Sequence, residues 1–168
     1  MKPSELLDRL YKEINTVILR RQSPVTGLLP ASTAITTHGD YTDAWVRDNV
    51  YSIMAVWALG LAYRNSGEQI RSDELEQATI KLMRGLLQSM MRQSDKVESF
   101  KCTLDSMDSL HAKYDTHTGL PVVGDSEWGH LQVDATSLVL LMLAQRRASG
   151  LRSVHTYGEV EFVQTLIY

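Results

Sequence analysis

Two short stretches concentrate the side chains able to do chemistry. Residues 44–49, AWVRDN, offer Trp45, Arg47, Asp48 and Asn49. Residues 124–135, GDSEWGHLQVDA, offer Asp125, Glu127, Trp128, His130, Gln132 and Asp134. An ionised carboxylate accepts from two neighbouring hydroxyls at once, and a guanidinium donates in a rigid fork. An indole adds a flat apolar wall for the C–H face of a pyranose ring. Charged hydrogen bonds are worth about 1.5–3 kcal/mol each, so two or three hold a ring in one orientation. The mixture suits a sugar.

A plainer reading accounts for the same residues. Asp48 and Asp134 each lie where an apolar run begins, so both suit helix caps that accept from free backbone N–H groups. Arg47 then pairs with a nearby carboxylate, and the tryptophans pack in the core. Residue types leave both readings open. His130, beside Gly129, reads first as a hydrogen-bonded structural histidine. His111 and His117 are not at the spacing of helical metal ligands, so no metal site is expected and no cofactor is implied. The stripe of Met83, Met90 and Met91 reads as core.

Both stretches open onto long apolar segments. From Val50 the first runs on as YSIMAVWALGLAY, and the second leads into SLVLLMLA, a helix from about Val133 or Asp134 to Ser149 that Gly150 stops. Being apolar on most sides, these two helices are expected to be deeply buried. Amphipathic helices alternate with them. Leu6, Leu7, Leu10, Ile14, Val17 and Ile18 recur at helical spacing, with Ser4 as the expected cap. Leu75, Ala78, Leu82, Met83, Leu86 and Leu87 mark another, whose polar face carries Glu74, Glu76, Gln77, Lys81 and Arg84. A fifth helix begins near Gly158, with Val160, Val163 and Ile167 in phase.

Residues 31–43 are polar and threonine-rich, and are expected to be loop. Residues 95–132 form one long connection, in which LHAKYD and LPVV flank THTG as a short hairpin. The expected fold class is all-α, a helical-hairpin toroid or solenoid of about five helices with inner helices covered by outer ones. If the two inner helices run parallel, both polar stretches arrive at one end of the ring.

Bulk properties narrow the function. At 168 residues, 43% hydrophobic and 22% charged, the chain has the size and composition of one globular domain. A net charge of -3 without a basic cluster argues against nucleic acid and acidic membranes as partners. Cys102 is the only cysteine, which excludes an internal disulfide and a multi-thiolate zinc site. The apolar runs fall short of the roughly 20 residues that cross a bilayer. The N-terminal MKPSELLDRLYKEI lacks the apolar core of a signal peptide. A soluble, cytoplasmic protein is expected.

PVTGLLPAS, DAWVRDNVYSI, ELEQ, KLMRGLL, DKVESFK, DSLHAKY and EWGHLQ, met in this order, resemble the N-terminal domain of the phosphorylase kinase regulatory subunits, the alpha type more than the beta. The resemblance covers about Leu7 to Phe162. That domain is similar to the glucoamylases, the family 15 glycoside hydrolases, whose fold is an (α/α)6 barrel. The resemblance therefore implies that residues 1–168 are the N-terminal part of one such barrel, a partial six-hairpin toroid. In glucoamylases an Arg-Asp pair opening an inner helix binds the non-reducing terminal glucose. Arg47 and Asp48 match it, and Trp128 matches the tryptophan of the family's Trp-Gly motif. Trp45, Glu127 and His130 complete the expected substrate-binding set. His130 stands where the hydrolases carry arginine, a departure at the neighbouring sugar contacts.

The hydrolases invert the anomeric centre using one carboxylic acid and one carboxylate base. In the family both lie beyond the Trp-Gly motif, farther along than Tyr168, so no residue of this chain is expected to be catalytic. The first expected function is a regulatory, glucan-binding module of the phosphorylase kinase alpha/beta type in glycogen metabolism. The resemblance implies a kinase catalytic subunit and calmodulin as partners, through regions outside these residues. The alternatives are a piece of an α-glucan hydrolase and a helical interaction module whose polar residues only cap and pack. An isolated part of the barrel is expected to expose apolar helix faces and to be marginally stable, to self-associate or to be completed by another chain.

Overall fold

The computed structural model describes residues 3–33, 35–36 and 39–167, with the side chains of 35, 36, 39 and 40 left aside. Six α-helices carry the fold: α1 (Pro3–Val17), α2 (Val46–Asn65), α3 (Gln69–Met91), α4 (Ser94–Thr103), α5 (Val133–Ala148) and α6 (Tyr157–Ile167). Four two-residue strands join them as two antiparallel pairs. β1 (Ile35–Thr36) pairs with β2 (Gly39–Asp40), and β3 (Ala44–Trp45) pairs with β4 (Lys113–Tyr114). The architecture is mostly helical, in keeping with part of an (α/α)6 barrel.

α2 and α3 form the central hairpin. The chain turns at Ser66–Gly67, and Gly60 of α2 then lets Leu75 of α3 approach, so that a Cβ there would lie 3.3 Å from that of Leu75. Val50, Ile53 and Val56 of α2 meet Leu75, Leu82, Met83 and Leu86 of α3 in one buried cluster. α5 adds Val139 and Met142, and α6 adds Phe162. α1 lays Leu7, Leu10, Tyr11 and Ile14 against this core, as its periodicity requires. It begins at Pro3, a residue suited to the first helical position, so Ser4 lies inside the first turn.

Further expectations change. The 95–132 connection contains a sixth helix, α4, whose ten residues SDKVESFKCT are too few to show an apolar period and which ends on Leu104 in a left-handed conformation (φ 53°). LHAKYD does turn back on LPVV, through a Tyr114–Pro121 bridge and an Asp115–Leu120 bond of 2.8 Å, but its strand β4 pairs with β3. Glu76, expected on the polar face of α3, is buried; it takes hydrogen bonds from Ser72 Oγ (3.2 Å) and from Arg64. Local periodicity cannot reveal a buried carboxylate whose charged partner, Arg64, sits on another helix.

The two apolar helices are buried along one side only. α2 exposes Tyr51 and Met54, and α5 exposes Leu141 and, at its start, Val133. Of the segment read as loop at 31–43, residues 34, 37 and 38 lie outside the described residues; the rest contains the β1–β2 pair and the run into β3. No described helix is long and apolar enough to cross a membrane.

Candidate functional site

The β3–β4 pair explains how distant stretches meet. Ala44 faces Tyr114 and Trp45 faces Lys113, after which Val46 N donates to Ala112 O at 2.9 Å. Ala112 N donates in turn to His130 O at 2.7 Å. Three separate pieces of chain are thus laced side by side: the entry to α2, the strand β4, and the turn that carries Trp128. α2 and α5 begin at the same rim, because Arg47 Nη1, in the first turn of α2, lies 3.4 Å from Asp134 Oδ2 in the first turn of α5.

A cavity of about 200 Å³ opens at that rim, lined by Ala31, Tyr41, Trp45, Arg47, Asp48, Trp128 and Gln132. Trp45 forms its buried back wall, while Trp128 is 75% exposed and meets it edge-on, with ring centroids 5.7 Å apart. Lys113 steadies both indoles. Its ammonium lies 5.1 Å from the Trp45 ring centre, 5.8 Å from that of Trp128 and 3.5 Å from Asp43 Oδ2. Gly129 is required by this packing. It sits at φ +87°, and a Cβ would lie 3.0 Å from Lys113 Cε and 3.3 Å from the Trp45 ring.

The polar groups are held from behind. Asn49, fully buried in α2, accepts from Leu29 N at 2.8 Å and donates to Leu29 O at 2.8 Å and Trp45 O at 2.9 Å. This ties the PVTGLLPAS loop to the first turn of α2. Asp48 does not cap the helix: the N-cap position is Trp45, and no side chain bonds there. The cap of α5 is Gln132, again without a side-chain bond, and Asp134 faces Arg47 instead. Two atoms of lining residues, Trp45 Nε1 and Gln132 Oε1, are buried with no hydrogen-bond partner among the described residues. Unpaired buried polar atoms are costly.

Of the six residues expected from sequence, Trp45, Arg47, Asp48 and Trp128 share this cavity, and Glu127 and His130 do not line it. Glu127 turns back to accept from Gly124 N at 2.9 Å. His130 is buried on the far side of the turn, with Nε2 2.9 Å from Ser109 O and its ring 4.5 Å from that of His111. Tyr41 and Gln132 join the lining. Gln132 lay within the polar stretch already singled out, whereas nothing local distinguishes Tyr41 in a threonine-rich loop. His117 lies on an exposed turn whose backbone N–H bonds Asp115, away from the buried His111.

Comparison with known proteins shows the family. The family model for "Glycosyl hydrolases family 15" matches residues 5–168. The chain is 56% identical over 166 residues to the phosphorylase b kinase regulatory subunit alpha, skeletal muscle isoform, of Oryctolagus cuniculus. It is 53% identical to the probable alpha subunit of Drosophila melanogaster and 42% to the probable beta subunit of that fly. Each alignment covers 96% of this chain but only 13–14% of the relative, so the chain spans about one eighth of their length.

Proposed function

Because the chain belongs to glycosyl hydrolase family 15, and resembles the phosphorylase kinase regulatory subunits within it, we propose that its rim cavity holds the terminal glucose unit of an α-glucan. Arg47 and Asp48 reach the ring hydroxyls, Trp128 covers the C–H face, and the Trp45 indole N–H and Gln132 carbonyl take up hydroxyl contacts. The observation that carries this reading is the meeting of two stretches some 80 residues apart around one cavity, with a donor and an acceptor left unpaired. The purely structural alternative keeps the Arg47–Asp134 pair and the buried Trp45 but loses its caps, since neither Asp48 nor Asp134 caps a helix.

In the whole protein, this site serves a regulatory subunit of a glycogen-linked kinase as a glucan-sensing or scaffolding element. A kinase catalytic subunit and calmodulin bind through other regions. The cavity binds and orients a ring, and no proton-transfer role is assigned to its carboxylates.

Titrating maltose or an acarbose-like sugar against tryptophan fluorescence tests the proposal, since Trp128 is exposed enough to report an arriving ring. The expected outcome is saturable quenching in the parent. Asp48→Asn weakens it by about tenfold or more, matching the loss of one charged hydrogen bond. A substitution on the outer face of α1, such as Glu13→Gln, leaves it unchanged. No response in the folded parent overturns the sugar reading.

A further inference from the structure

A second cluster of side chains lies behind the Trp128 turn, away from the cavity. His111 Nε2 is 2.8 Å from Asp125 Oδ1, the His111 and His130 rings are 4.5 Å apart, and one donor atom from each of His111, Asp125 and His130 lies within 4.8 Å of the others. Both histidines are buried, with His111 only 3% exposed. The Nδ1 atom of His111 has no partner among the described residues. Lys96, from α4, completes the group. Its ammonium bonds Asp125 Oδ1 and lies 3.4 Å from His130 Nε2.

We propose that His111, Asp125 and His130 form a binding site for a divalent transition ion of the zinc class, which competes with the Lys96 ammonium for the same position. Two imidazoles and one carboxylate are the donors such an ion prefers. Bonds of about 2.1 Å place tetrahedral donors roughly 3.4 Å apart. The three donor atoms all lie within 4.8 Å of one another, so side-chain rotations that also release His130 from Ser109 O bring them onto one ion and leave a fourth position for water. The ammonium already marks the place as one that favours a cation. When the ion enters, Lys96 gives up Asp125 and turns outward from its partly exposed position.

The site would act as a staple. His111 precedes β4, and Asp125 and His130 flank Trp128, so one ion joins the strand to the turn that carries the exposed indole. This inference is independent of the sugar reading, because none of its donors lines the cavity.

Cobalt(II) titration of the full chain, read as visible d–d absorption, tests it, with zinc-dependent thermal stabilisation as a second readout. The parent is expected to give saturable bands and a rise in unfolding midpoint with zinc. Asp125→Asn, a change at an exposed residue that leaves the helical circular dichroism intact, should weaken binding at least about tenfold. Lys96→Met removes the competing charge and should tighten binding at least about tenfold. Absence of bands in the parent overturns the proposal. Bands in Lys96→Met alone would make the lysine the permanent occupant and overturn it equally. Unchanged binding in Asp125→Asn would place the ion elsewhere and sink the assignment.

Discussion

Asp48 and His111 lie on opposite sides of the Trp128 turn, and their surroundings give them opposite tasks. Asp48 sits in the first turn of α2 at the cavity edge, where the helix N-terminus favours its negative charge. His111 is kept neutral by burial, reinforced by Lys96 and His130 and opposed by its bond to Asp125. A histidine whose folded pKa lies below its unfolded value of 6.5 takes up fewer protons folded than unfolded. Its stabilising effect is therefore complete above that value and is lost as pH falls through the folded pKa. The unfolding midpoint should hold steady down to about pH 6.5 and then decline, and His111→Gln should flatten this part of the profile. The Lys96 and His111 bonds hold the Asp125 carboxyl below its usual 3.8, so its contribution disappears only in more acid solution. A profile in His111→Gln that matches the parent would place the titration elsewhere.

Among the elements, the loop at 23–29 matters beyond its length. Thr26 O crosses α3 at Gly85 so closely that a Cβ there would lie 2.1 Å from it. Leu28 and Leu29 are buried, and Leu29 is the segment that Asn49 grips from α2. Gly85→Ala should push the loop off α3 at a cost of about 1–3 kcal/mol, measured by chemical denaturation. It should also weaken the maltose response, because Asn49 would lose the backbone that orients the first turn of α2. A substitution that costs stability yet leaves the sugar response intact would separate the loop from the site.

The whole molecule presents an uncovered apolar flank on α5 and α6. Val133 is 92% exposed, and Leu141, Val160 and Ile167 are exposed with it. A hollow of about 490 Å³ on this flank is lined largely by leucine, valine and isoleucine. Apolar patches of this kind drive association in water. The 168-residue chain should therefore show a sedimentation coefficient that rises with concentration, and Leu141→Lys should suppress the rise. A sharp two-state transition in a strictly monomeric sample, with no concentration dependence, would show that the flank is tolerated in solvent.

Helical content, the pairing of amphipathic with apolar helices, and the polar vocabulary of the two chemical stretches were legible along the chain, because each rests on neighbours within a few residues. The motifs also carried the family resemblance and, with it, Arg47, Asp48 and Trp128. α4 was missed because ten residues hold too few apolar positions to define a period. Tyr41, and the meeting of His111 with His130 and Asp125, could not be read from spacing. They depend on which strands pair: once β3 lies against β4 and Ala112 N bonds His130 O, residues far apart in sequence become neighbours. Hydrophobic order is written into local sequence, but the proposed sites come together where separate segments exchange backbone hydrogen bonds, and that exchange exists only in the folded chain.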